Sequence, residues 1–176
     1  MTHSVHNDLS DKFSKGIIVI HWLTALLILV LFVTGLSLKG LEVGGKIDLL
    51  KFHASLGTLF FLLTIIRSIL FFKSRRPADL KTGSRFNDIL AVWIHNVLYV
   101  LMLLLGISGI ATMIIGGYGD ALQTGDLSLI KPREDIASLK AHTVLSFLTI
   151  GLVVLHIVGV IKHFILTKEN TLKRIF

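Results

Sequence analysis

Four runs of apolar residues divide the chain, at 16–38, 52–72, 89–115 and 139–166, with polar stretches between them. As helices, each is long enough to cross a hydrocarbon core that takes about 20 residues. Pro77 and Pro132 both fall between runs, so proline chemistry breaks none of the helices. The connections are 39–51, 73–88 and 116–138. Within the last, Gly116-Gly117-Tyr118-Gly119-Asp120 stops the third run, and the remainder has the length for a short interfacial helix. The pattern predicts an all-α, integral-membrane antiparallel four-helix bundle, a single transmembrane domain over residues 1–176 with a site buried between helices.

Composition agrees with the pattern: 53% of residues are hydrophobic, 16% are charged and the mean hydropathy is +0.79. Lipid is therefore the first expected partner, and the spans leave no length for a separate soluble domain. The absence of cysteine excludes thiolate-held iron–sulfur clusters, covalently attached haem and disulfides. The polar leader lacks a short apolar core with a small-residue cleavage site, which predicts that the first span is its own targeting signal.

A formal charge of +7 in a soluble protein would point to nucleic acid. Here its distribution matters more. With both termini on one side, that side and the middle connection, which holds Arg75 and Arg76, carry the whole excess, and the other side sums to zero. The positive-inside tendency then predicts a multi-pass protein of a bacterial inner membrane with cytoplasmic N- and C-termini, and no nucleic-acid partner.

Histidine placement supplies the chemistry. His142 and His156 lie fourteen residues apart in the fourth run, close to four helical turns, so both leave one helix face at depths separated by roughly 21 Å. His21 opens the first run and His53 the second. In an antiparallel bundle of the orientation above, His21 and His156 share the cytoplasmic level, and His53 and His142 the periplasmic one. A single histidine in a span often only bonds a neighbouring helix, but four at two matched depths point to function. No carboxylate or thiolate joins either pair, so zinc would be under-coordinated. Two noncovalent haem b groups need only two axial imidazoles each.

The fourteen-residue step recurs from His21 to Gly35 and from His53 to Arg67. Gly35 either lets a flat macrocycle approach the backbone or packs helices. Arg67 either snorkels to headgroups or pairs with a haem propionate. Gly57, Gly106, Gly109, Gly151 and Gly159 are read as packing residues as readily as cofactor contacts. His95, on the cytoplasmic side of the third span, has no unpaired partner among the deep histidines, which leaves it a candidate catalytic proton group or an interfacial residue. His163 is a weaker version of the same choice, and His3 and His6 carry no assignment.

The ordered set resembles the bacterial cytochrome b561 family. Ile20-His21-Trp22 opens span 1, His53 and Arg67 lie in span 2, His95 precedes Val97-Leu98-Tyr99 in span 3, His142 and His156 lie in span 4, and Lys168-Glu169-Asn170-Thr171-Leu172 follows. The same plan is similar to the cytochrome b subunits of hydrogenases and formate dehydrogenases. The resemblance implies haem-ligand roles for His21, His53, His142 and His156. Bis-histidine ligation fills both axial positions, so electron transfer is favoured over oxygen activation. The leading expectation is an electron carrier, or a quinone-linked oxidoreductase, exchanging electrons with quinone or quinol. Two alternatives stay open. One is a membrane anchor and conduit for a separate redox partner protein. The other is superoxide oxidation coupled to quinone reduction, for which Lys46, Lys51 and Lys140 lie near the periplasmic pair while that face as a whole sums to zero.

Overall fold

The computed structural model describes residues 12–39, 47–73, 77–79 and 81–176. His3, His6, Lys46, Arg75 and Arg76 lie outside the described residues. The apolar runs form α1 (Lys15–Leu38), α2 (Ile47–Lys73), α3 (Arg85–Ile115) and, after the short α4 (Tyr118–Thr124), α5 (Ala137–Thr167). The four long helices are all apolar enough to cross a membrane. The described residues contain no strand.

The helices α2 and α3 begin several residues before their apolar runs, with polar side chains in their first turns. Asp48 sits in the first turn of α2, and its charge complements the positive end of the helix dipole. Ser84 caps α3 by accepting from the Asn87 amide, and Asp88 one turn on accepts from the Thr82 amide and hydroxyl, each at 2.8 Å. The glycine-rich segment stops α3 as its sequence predicts. Gly116 is the C-cap and Gly117 adopts φ 76°, where a side chain would also meet the Leu129 carbonyl. The 31 residues of α3 and of α5 span roughly 46 Å as straight helices, more than a hydrocarbon core of about 30 Å.

Neighbours in the bundle are α1 with α2, α2 with α3, and α3 with α5. Phe32 of α1 and Phe147 of α5, edge to face at 5.4 Å, close the ring. Leu27, Ile28, Phe60, Met102 and Leu105 are buried at mid-height, with Leu31, Leu56, Leu63, Leu98, Tyr99 and Leu145 against them. Buried hydroxyls at this depth are satisfied within their own helices: Thr24, Thr64 and Thr149 each donate to the carbonyl four residues back. Outward faces carry exposed Val19, Leu26, Leu29, Val33, Val154 and Ile161, the arrangement expected where the solvent is lipid.

The C-terminal segment folds back over the end of the bundle that carries both termini. The Trp22 indole N–H donates to the Ile175 carbonyl at 2.9 Å and its ring lies 4.9 Å from that of Phe176. The Phe13 amide donates to the Arg174 carbonyl, and the buried Arg174 guanidinium donates to the Ala78 carbonyl at 2.9 Å. Cβ geometry makes one packing prediction. A methyl on Gly106 would overlap the Phe61 ring, whereas nothing lies within 4 Å of the corresponding position on Gly151. Gly106→Val is expected to destabilise the bundle by about 1–3 kcal/mol, lowering its melting temperature in detergent, while Gly151→Val leaves it near the parent value; equal melting of the two variants would contradict this packing.

Candidate functional site

At the end opposite the termini, His53 of α2 and His142 of α5 face each other. Their ring centres are 6.3 Å apart and their planes cross at 81°. Both line a cavity of about 500 Å³ bounded by all four long helices. Two imidazoles on one metal atom put their ring centres about 6 Å apart, from two bonds of roughly 2 Å and about 1 Å from each nitrogen to its ring centre. The observed separation therefore fits a single metal between the rings.

Hydrogen bonding fixes the tautomer of each ring. Thr34 Oγ1 lies 2.8 Å from His53 Nδ1. The one hydroxyl proton of Thr34 is already directed at the carbonyls of Val30 and Leu31, at 3.0 and 3.1 Å, so Thr34 accepts and His53 Nδ1 donates. His142 Nδ1 faces the Leu105 carbonyl at 3.1 Å, which only accepts. Ser108 Oγ, also 3.1 Å from that nitrogen, gives its own proton to the same carbonyl at 2.9 Å. Each imidazole thus carries its proton on Nδ1 and presents a lone pair at Nε2, the form a metal ligand needs.

Glycines stand beside both rings. A Cβ on Gly35 would lie 3.3 Å from His53 Cε1, and one on Gly109 would lie 3.2 Å from His142 Cε1, so any larger residue would press on the imidazole. Among the described residues no group of three or more His, Asp or Glu could hold a bare metal ion. Two imidazoles with an apolar cavity between them suit a metal that brings its own equatorial ligands.

The end carrying the termini gathers a different set: His21 from α1, Arg67 from α2, His95 from α3 and His156 from α5. Arg67 Nη2 lies 2.8 Å from His21 Nδ1, Nη1 donates to Thr24 Oγ1 at 3.1 Å, and the guanidinium sits 5.1 Å over the Tyr99 ring. A guanidinium only donates, so His21 Nδ1 accepts here and the ring proton sits on Nε2. Arg67 Nε is buried with no partner among the described residues. His95 and His156 meet edge to face with ring centres 4.8 Å apart, short of the spacing a metal between them requires. His95 Nδ1 donates to the Ala91 carbonyl at 2.7 Å, which leaves its Nε2 as an acceptor on an exposed residue. His21 is within electrostatic reach of Arg67, His156 and His95. His163 stands apart from this cluster, buried, with Nε2 3.2 Å from Glu169 Oε2.

The family described as prokaryotic cytochrome b561 matches residues 12–176. The chain belongs to that family. Membership makes it a membrane cytochrome of the b type, with haem held noncovalently and electron transfer as its work. It is similar to cytochrome b561 homolog 1 of Escherichia coli (strain K12), 25% identical over 170 residues that cover 93% of this chain and 96% of that one. No solved structure matches.

The fold brings His53, His142 and Gly35 to one level and His21, Arg67, His95 and His156 to the other. Sequence reasoning gave no role to Thr34, Ser108 or the Leu105 carbonyl, and it left Gly109 open between packing and cofactor contact. One signal was available for Gly109, which lies fourteen residues beyond His95, the step already seen on the other three helices. For the hydroxyls there was none, since serine and threonine in a membrane helix usually bond only their own backbone. Thr34→Val removes the acceptor of the His53 N–H and is expected to weaken haem retention, by roughly tenfold or more in affinity, while Thr34→Ser preserves it. Haem per polypeptide after detergent purification checks this, and equal content in the two variants would exclude an orienting role for the hydroxyl.

Proposed function

We propose that the chain is a dihaem cytochrome exchanging electrons with the quinone pool, with His53 and His142 as the axial ligands at one level and His21 and His156 at the other. The observation that carries this reading is the His53–His142 pair: ring centres 6.3 Å apart across a cavity of about 500 Å³, both with Nε2 free. Bound haem supplies reversible one-electron chemistry at each level. The protein's part is to fix the imidazoles, exclude water and handle protons.

At the level of the termini, the 4.8 Å contact of His95 with His156 does not suit an axial pair, which leaves His21 as the partner of His156. Ligation through His21 Nε2 requires the ring proton on Nδ1. Arg67 would then release that nitrogen, and its Nη2 and Nε, with Nη1 still on Thr24, could hold a propionate carboxylate. Quinol loses two protons with its two electrons, and His95 Nε2 is an exposed acceptor on this end. The charge excess around the termini supports a cytoplasmic location for them, in a bacterial inner membrane.

The reduced-minus-oxidised spectrum of the purified chain, with a pyridine haemochrome count, is expected to give two low-spin b haems per polypeptide. His53→Ala and His156→Ala should each remove one. A single haem in the parent protein, or retention of both in either variant, would refute the ligand pairs. His95→Ala is expected to keep both haems and slow reduction by quinol at least tenfold; an unchanged rate at full haem content would remove His95 from proton transfer.

A further inference from the structure

We propose that Arg133 and Lys39 form a carboxylate-binding rim on the cavity between His53 and His142, holding the two propionates of the haem at that level. The inference rests on the histidine pair being the axial ligands, and it adds which way the macrocycle faces and what holds its charged edge. Nothing in the spacing of the apolar runs pointed to either residue.

The cavity has two unlike ends. Towards mid-bundle it is closed by Ile28, Phe60 and Leu105, all buried and apolar. Towards the aqueous side Lys39 and Arg133 line it, and among the described residues no aspartate or glutamate does. Glu134 and Asp135, which follow Arg133 in the same short turn, are not part of the lining. The described part of the rim is therefore cationic, whereas that face of the sequence as a whole sums to zero. A porphyrin is apolar except for its two carboxylates, and a carboxylate buried among apolar side chains without a partner is strongly disfavoured. The deep end offers no partner for one; the rim offers two cations.

Position along α1 supports the same assignment. Gly35 lies beside the His53 ring, and Lys39 follows it by four residues, about 6 Å further out along the helix direction. Arg133 is brought to that edge by its Nη1, which donates to the Leu38 carbonyl at 3.2 Å. The C-terminal carbonyls of α1 would otherwise give this edge a partial negative charge that repels carboxylates. Arg133 covers one of them and retains four further N–H donors, and Lys39 adds its ammonium.

The test uses membranes from haem-starved cells making the full chain, titrated with iron protoporphyrin IX or with its dimethyl ester and followed by low-spin absorbance. In the Arg133→Gln, Lys39→Gln double variant, one of the two binding steps for the diacid is expected to weaken roughly tenfold, binding of the diester should match wild type, and the charge-keeping Arg133→Lys, Lys39→Arg variant should bind both forms normally. Equal weakening for diacid and diester would reduce the pair to a structural role and overturn the proposal, as would undiminished diacid binding. His53→Ala run in parallel separates the two levels of the argument. Full haem binding by that variant overturns the ligand pair itself, whereas loss of one haem alongside normal binding by the glutamine variant overturns only the rim.

Discussion

Hydrocarbon supplies no hydrogen-bond partners, so every polar side chain inside this bundle has to find one in the protein. That constraint accounts for most of what is specific in the structure. The buried threonines turn back onto their own helices. The imidazoles cannot do so without losing their orientation, and at the end away from the termini each takes an acceptor from the helix beside it: His53 from Thr34 of α1, His142 from Leu105 of α3. Satisfying Nδ1 in this way has a chemical result. It pins the proton, and the remaining nitrogen faces the cavity as a lone pair. The requirement that makes a buried histidine tolerable thus also prepares it as a ligand.

The helix repeat turns this local device into two stations. Fourteen residues separate His21 from Gly35, His53 from Arg67, His95 from Gly109 and His142 from His156. Because successive long helices run in opposite directions, each pair contributes one residue to each level. Between the levels lies the layer of Leu27, Ile28, Phe60, Met102 and Leu105. On the proposed reading, this apolar layer hinders protons and ions between the stations while leaving electron transfer through packed side chains open. Coupling between levels, on the proposed reading, is then electronic alone, and any proton released by a substrate has to be handled at the end where the substrate binds.

The fold was legible because its signal is repeated and coarse: four apolar runs, prolines only between them, and a glycine cluster where α3 stops. What the runs did not give was the true ends of the helices, since Asp48, Lys51, Arg85 and Asp88 look like loop residues by hydropathy yet occupy interfacial turns of α2 and α3. The histidine levels were legible for the same reason, as they follow from helix rise. Residues acting through another side chain were not. Thr34, like Thr24 and Thr64, bonds its own backbone, and the imidazole across from it depends on the azimuth of α2 against α1. Arg133 sits in a connection whose path over the cavity no periodicity describes. The edge contact of His95 with His156 was missed too, because depth alone does not say which rings touch.

The two ends satisfy the same constraint with unlike groups, and the contrast bears on the direction of the chemistry. Away from the termini both Nδ1 atoms are tied to a hydroxyl oxygen or a carbonyl, groups that neither titrate nor carry charge. At the termini a guanidinium bonds one imidazole and an exposed imidazole leans against another. A cation held in low dielectric acts on its surroundings more strongly than a screened one at a rim. Arg67, half-buried among His21, Thr24 and Tyr99, therefore favours the more negative, reduced form of whatever redox centre it adjoins. His95 offers a proton acceptor beside the same place. On the proposed reading a quinol gives up both electrons and protons, and among the described residues the end with Arg67 and His95 sets a half-buried cation beside an exposed imidazole acceptor.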